Sequence, residues 1–362
     1  MKRIYSGDIT EDLIAQSPEG EFSPSRIRNG EGARYAILKG HFGWVTHVQY
    51  NPKGTLLASS SNDGLLKVWD VQTGKCIKTI FDPEKHDQGC AIFSPNGKYL
   101  ASFANKLTEE RLYAKTAEVK VWDMETFELV FHLGGFCGWI NDIAFNHDGT
   151  HIAIAIEDHE DEWEHYKDDD AVMIWDIVHS QKIRKLKAIY EAEDRVFGEI
   201  GGKKLVLSLN INAIAYSPDG NYLAAGSNDC SLKIWEPATG KRVDTFWDDE
   251  YQIRDVVFSH HSEWVMTAGG SVLIWDVSSG DILGEFGPGI AKCLEFNQED
   301  TRIAALYENR KKVVVWDLDV CEEICSFHSP KYYISDISFS PDGKHIAMAM
   351  ENGTVRIWDL PM

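Results

Sequence analysis

An all-β fold made of seven copies of one four-stranded unit is what this 362-residue sequence predicts. Three observations carry it. Seven Trp residues punctuate the chain, six followed by Asp and one by Glu: Trp69, Trp122, Trp175, Trp235, Trp275, Trp316 and Trp358. They are spaced by 53, 53, 60, 40, 41 and 42 residues, and each ends an apolar run such as Leu66-Lys67-Val68-Trp69. A second motif keeps step with them, an aromatic followed by a tight turn, as in Tyr50-Asn-Pro-Lys-Gly54 and Phe339-Ser-Pro-Asp-Gly343. The third observation is that the ends complement each other: only four residues follow Trp358, while an unassigned apolar run, Tyr35-Ala36-Ile37-Leu38, precedes the first repeat. A period of about 40–45 residues closing on Trp-Asp is that of a four-stranded β-propeller blade.

Each element of the repeat has its own reason. The aromatic ends a first strand. Pro early in the turn presets φ, and Gly supplies the positive φ that closes a hairpin. A second apolar run follows, such as Tyr99-Leu-Ala-Ser102 or Ile346-Ala-Met-Ala349. A loop leads to the third strand with its Trp, and a tight turn to a fourth. Phe258-Ser-His-His-Ser262 and Phe296-Asn-Gln-Glu-Asp300 read as degenerate copies of the first turn, with His260 and His261 simply exposed.

On these residues the chain resembles a seven-bladed WD-repeat β-propeller over residues 34 to 359. The resemblance implies a buried polar tetrad of His, Ser or Thr, Asp and Trp in a blade. It aligns completely only in the first repeat, as His41, Ser59, Asp63 and Trp69. The fourth repeat keeps Asp229 and Trp235 but has Ala225 at the Ser position, the fifth lacks a matching Asp, and the seventh has Asn352. The resemblance also implies that the run beginning at residue 34 completes the last blade. Closing the ring that way removes an open edge. Residues 1–33 then form an N-terminal arm and 34–362 one domain.

No run of about 18 apolar residues is present, so no membrane span is expected, and the N-terminus lacks the apolar segment of a signal peptide. Seven scattered Cys, an odd number, point to a reduced intracellular setting, cytoplasmic with the nucleus as the alternative. Cys321 and Cys325 read as buried or half-buried thiols, with a metal or redox pair as the lesser alternative. A formal net charge of −21 argues against nucleic acid as a direct ligand and toward a basic partner. The cluster Lys182, Arg184, Lys185 and Lys187 reads as a charged outer edge that blocks aggregation.

Three stretches exceed the minimal repeat: 105–116, 157–170 and 190–210, the last containing a hairpin pattern around Gly201-Gly202. Strands alternate in direction, so loops between second and third strands emerge on the same face as the connections between blades. All three insertions therefore lie on one face, in neighbouring repeats. Long loops on one face of a rigid scaffold are where function concentrates, although drift of surface loops gives the same pattern.

Residue types point to that face as well. Trp44 and Trp139 sit six residues before the first-strand aromatic. Asp87, Asn210, Gln252, Ile290 and Tyr333 are their equivalents, and together these should ring the mouth of the central channel. Trp163 lies in the acidic loop and Trp247 in a blade connection; only Trp264 reads as internal to a strand. Trp and Tyr are typical interface anchors, and Trp44 and Trp139 could equally cap the core. The 157–170 loop holds nine carboxylates, two His and one Lys. It fits a solvated loop, a docking surface for a Lys/Arg-rich segment using Glu160, Asp161, Glu162 and Glu164, or a metal site using Asp158, His159, Glu162 and His165.

No phosphate loop, His-Glu-x-x-His or Gly-x-Ser-x-Gly motif occurs, and neither a catalytic residue nor a cofactor is expected. The expectation is a non-enzymatic scaffold that binds one or more proteins or peptides on the insertion-bearing face, as a monomer within a hetero-complex, without direct nucleic acid or membrane binding. The alternative is a regulatory or substrate-delivering subunit of an enzyme complex; a metal- or substrate-processing enzyme is a third and weaker reading.

Overall fold

The computed structural model describes residues 27–28, 34–81, 87–107, 115–158, 171–187, 199–200, 203–204, 210–248, 251–287, 289–307 and 310–361. Seven antiparallel four-stranded blades are stacked around a central axis. Blade 1 is Val45–Tyr50, Leu56–Ser61, Leu65–Asp70 and Cys76–Phe81, from the axis outward. Blades 4, 5 and 6 begin at Ile211, Asp255 and Ala291 and repeat this order. Blade 7 takes Ile334–Phe339, His345–Met350 and Thr354–Asp359 from the end of the chain. Its fourth strand is Arg34–Lys39, with Tyr35 opposite Trp358. Each innermost strand touches those of the two neighbouring blades, and blade 7 touches blade 1, so the ring is closed.

Blades 2 and 3 depart from the simple repeat. Leu129–Phe145 is one continuous 17-residue strand, outermost in blade 2 and innermost in blade 3. The two blades form a single seven-stranded sheet. The strand passes through a bulge at Gly135, at φ 86°, with Gly134 opposite Glu118 and Phe136 opposite Ala117. Within the N-terminal arm, Ile27–Arg28 pairs with Tyr35 and Arg34 as a fifth strand beside blade 7.

The core lies between blades. Trp69, fully buried, packs with Leu38, Val48 and Val355 between blades 7 and 1; Trp316 packs with Met266 and Ile274 between blades 5 and 6. Polar side chains stitch the same seams along the axis, where the free edges of the innermost strands would leave amides without acceptors. Asp142 accepts the amide of Ile214 in the next blade at 2.8 Å, Asp255 that of Leu294 at 2.7 Å, and Asp336 that of Val48 at 2.9 Å. One level nearer the turns, Gln49 accepts from Phe93 at 2.6 Å, Ser338 from Tyr50 at 3.2 Å, and Glu295 from Phe339. Where the preceding blade offers Cys90 or Ala213 at the equivalent position, Asp142 and Asp255 turn their second oxygen to the amides of Ile143 and Val256.

The turns between first and second strands meet around the opposite face. Five place Gly at positive φ in the fourth position. The two degenerate turns have Ser262 (φ 62°) and Asp300 (φ 53°) there. Both use the side chain to hold the preceding blade: Ser262 Oγ accepts the amide of Asp219 at 3.0 Å. Asp300 accepts the amides of His260 and His261 at 2.9 and 3.1 Å and their Nδ1 atoms at 2.9 and 2.7 Å. His260 and His261 are therefore fastened rather than merely exposed. Arg184, expected only as part of a charged edge, donates to the carbonyls of Thr239 and Ala238 in blade 4, both at 2.7 Å.

Candidate interaction face

The connections that lead into innermost strands and the turns between second and third strands are joined by backbone bonds on one face. Asn62 N donates to Trp44 O at 3.0 Å, Asn228 N to Asn210 O at 3.0 Å, and Glu351 N to Tyr333 O at 2.9 Å. Trp44, Asn210 and Tyr333 thus occupy equivalent places. All four exposed aromatic side chains among the described residues lie on this face: Phe42 (46% exposed), Trp44 (42%), Tyr251 (43%) and Tyr333 (41%). Exposed aliphatic residues such as Ile77, Val243 and Leu283 lie instead on outermost strands. Tyr251 is seated over Gly270, where an added Cβ would fall 2.0 Å from its ring.

The other expected binding residues are placed unevenly. Gln252 is exposed, while Trp139, Asn210, Trp247 and Ile290 are half-buried. Trp139 lies opposite Glu157 in the continuous sheet, and Trp247 opposite Ser231. Asp87 pairs with Asn105 at the start of blade 2. Trp163, His159, His165, Glu160, Asp161, Glu162 and Glu164 lie outside the described residues. The described exposed aromatics therefore gather at blades 7 and 1 and at blade 5, away from the second to fourth blades where the insertions sit. Within the insertions, Leu107 opposite Lys115 prolongs the blade 2 hairpin, and Asp158 opposite Gly138 prolongs blade 3. Asn105 bridges the two blades, accepting the amide of Ile140 at 3.0 Å and donating to its carbonyl at 2.8 Å. Glu199–Ile200 pairs with Lys203–Lys204 as a short hairpin.

Beneath Phe42 and Trp44 the structure brings His41, Ser59, Asp63 and Trp69 together. His41 Nδ1 lies 3.1 Å from Asp63 Oδ2, His41 Nε2 lies 2.8 Å from Ser59 Oγ, and Trp69 Nε1 donates to Ser59 Oγ at 2.9 Å. Burial alone would raise the Asp63 carboxyl; His41 and the amides of Phe42 and Leu65 outweigh it and hold it below the usual range. Other blades substitute for this arrangement. In blade 5, Trp275 Nε1 donates to Thr267 Oγ1 at 3.0 Å. In blade 4, the buried Lys233 ammonium lies 3.0 Å from Asp229 and also reaches Ser231; burial pushes its pKa down against the pull of Asp229.

Cys76, Cys90, Cys230, Cys293, Cys321 and Cys325 are free thiols; Cys325 is half-buried as expected, but Cys321 is exposed, in the turn that leads to the outer strand of blade 6. Among the described residues no group of three or more His, Cys, Asp or Glu is arranged to hold a metal. No helix of the described residues is long and apolar enough to cross a membrane.

The model of the WD domain, G-beta repeat family matches residues 32–70, 203–236 and 320–359, which include the first three strands of blades 1, 4 and 7 and the fourth strands of blades 7 and 6 that precede the first and last of these. The chain thus carries WD repeats on a seven-bladed β-propeller frame. It is similar to Pre-mRNA-processing factor 19 homolog 2 of Arabidopsis thaliana, 25% identical over 59% of this chain and 33% of that protein. It is also similar to small ribosomal subunit protein RACK1y of Oryza sativa subsp. japonica, 24% identical over 99% of this chain and 85% of that protein. A third relative is guanine nucleotide-binding protein subunit beta of Arabidopsis thaliana, 22% identical over 89% and 82%. The chain thus spans a third of the first relative's length and most of the other two. WD-repeat propellers are typically scaffolds on which other proteins assemble.

Proposed function

We propose that this WD-repeat propeller is a non-enzymatic, intracellular scaffold that binds a protein or peptide on its insertion-bearing face. The observation that carries this reading is the placement of all four described exposed aromatics, Phe42, Trp44, Tyr251 and Tyr333, on that one face. Amphipathic rings that stay exposed on a rigid frame supply contact area at low entropic cost. Glu160, Asp161, Glu162 and Glu164 add long-range attraction for a basic partner, consistent with the net charge of −21. Affinity purification from the native cell with the wild type and a Trp44→Ala/Tyr333→Ala variant tests it. Partners should be lost from the variant while its melting temperature is kept. Partners retained at wild-type level would overturn the choice of face.

A further inference from the structure

The insertion-bearing face has a second pole of opposite charge, where blades 6, 7 and 1 meet. Its parts form one continuous surface. Ile334 N donates to Arg310 O at 2.6 Å and Ser329 N to Lys311 O at 2.8 Å, joining the blade 6 turn to the connection that enters blade 7. Lys311 Nζ donates to Pro330 O at 3.3 Å and sits 5.1 Å from the centre of the Tyr333 ring. Lys331 Nζ sits 5.0 Å from the centre of the Tyr332 ring. Tyr333 and Glu351 exchange bonds, Tyr333 N donating to Glu351 Oε2 at 3.1 Å. The turn of blade 7 then abuts blade 1, since a Cβ on Gly353 would fall 2.5 Å from His41 O, beside exposed Phe42 and Trp44.

Four cations, Lys39, Arg310, Lys311 and Lys331, stand here against Glu351; the sequence adds Glu308 next to the turn. In a chain of net charge −21, that is a local inversion of sign. Three of the cations, Arg310, Lys311 and Lys331, lie in a turn and a connection rather than along an outer strand where they would serve to block edge pairing. Two of them lie over aromatic rings, which holds charge and apolar surface together.

We propose that this patch docks an acidic segment of a partner protein, Asp/Glu-rich around an apolar or aromatic anchor. The anchor packs against Tyr333, Phe42 and Trp44, and the carboxylates meet Lys331, Lys311 and Arg310. Such a segment is steered to this pole and repelled from the acidic insertions, which fixes its direction across the face. Nucleic acid also meets basic and aromatic groups, but a polyanion longer than the patch would run onto the acidic side. The proposal shares the face with the function proposed above and assigns a different partner chemistry to it.

The test is fluorescence anisotropy on the full chain at low salt with two labelled probes, a Glu-rich peptide carrying one central Trp and a Lys-rich peptide of equal length. The Glu-rich probe should bind the wild type, and Lys331→Glu/Tyr333→Ala should weaken it by at least about tenfold. Lys331→Met, which removes one charge without repulsion, should have a smaller effect in the same direction. Neutralising Glu160, Asp161, Glu162 and Glu164 should leave the Glu-rich probe bound and weaken only the Lys-rich one. Equal binding of the Glu-rich probe to wild type and to Lys331→Glu/Tyr333→Ala would overturn the proposal. So would displacement of that probe by an oligothymidylate at equal concentration. A Lys-rich probe that fails to bind the wild type would instead count against the basic-partner reading and leave this one standing.

Discussion

Asp336, on the innermost strand of blade 7, accepts the amide of Val48 in blade 1 at 2.9 Å. The bond crosses the seam where the two ends of the chain meet. It belongs to a set in which Asp142 and Asp255 serve two other seams in the same way. Each innermost strand has an unpaired edge toward the axis, and these carboxylates take the place of a missing neighbour strand. The outward surface is thereby left free to vary while the ring stays closed.

This arrangement makes stability pH-dependent. Burial, opposed by the Ile214 amide and reinforced by Asp255, pushes Asp142 up to about 8. Burial, opposed by the Leu294 amide and reinforced by Asp336, pushes Asp255 up to about 7. A carboxyl whose folded-state pKa is raised binds more protons folded than unfolded. Its contribution is complete below the ordinary carboxylate range and lost as pH rises through 7 and 8. The melting temperature should fall between pH 5.5 and pH 9, and Asp142→Asn should flatten that slope. A melting temperature that rises over the same interval would contradict the assignment.

Trp69→Ala should destabilise by roughly 3–5 kcal/mol, from loss of a large buried ring, and it removes a donor to Ser59. Denaturant unfolding measures this directly. A midpoint like that of the wild type would mean that the His41–Ser59–Asp63–Trp69 network does not support blade 1.

Asp300 combines positive φ with four donors from His260 and His261. Asp300→Ala should cost about 1–3 kcal/mol, because the bonds are lost and the strained φ remains. Asp300→Gly should be milder by about 0.5–1 kcal/mol, since Gly accepts that φ. His261→Ala should be nearly neutral because its side chain is mostly exposed. Equal unfolding midpoints for the Ala and Gly variants would show that φ at this position carries no cost.

Deleting residues 34–39 should prevent recovery of a soluble monomer, since Thr354–Asp359 would lose its outer partner and expose an edge. Deleting residues 1–26 should leave the melting temperature within a few degrees. Size-exclusion chromatography and thermal melts distinguish the two. Deletion of residues 1–26 as damaging as that of residues 34–39 would place the arm in the core.

The blades were legible because Trp-Asp and the aromatic-turn motif recur in phase, and a repeat is read by agreement among copies. Features that break the repeat were not. A bulge at Gly135, at φ 86°, carries one strand from blade 2 into blade 3, and no repeat motif marks it. Ser262 and Asp300 read as decayed glycines, although their side chains hold the preceding turns. The signal for Asp142, Asp255 and Asp336 was present, an acid three residues before the first-strand aromatic. Its meaning depends on the next blade's amide, which no local pattern reveals. Exposure separated the binding residues in the same way: Trp44 and Trp139 occupy equivalent positions, yet only Trp44 is exposed, because Trp139 is enclosed by the sheet that joins blades 2 and 3.

The central claim is that partners bind the insertion-bearing face. Surface-binding kinetics with a purified partner at two salt concentrations test it most directly. Neutralising Glu160, Asp161, Glu162 and Glu164 should slow association with a basic partner, most strongly at low salt, because exposed charges act through screened long-range attraction. Trp44→Ala should instead speed dissociation, as loss of a desolvated anchor does. Wild-type kinetics in both variants, together with loss of binding on substitution of exposed opposite-face turn residues such as Lys53 and Asn96, would contradict the account.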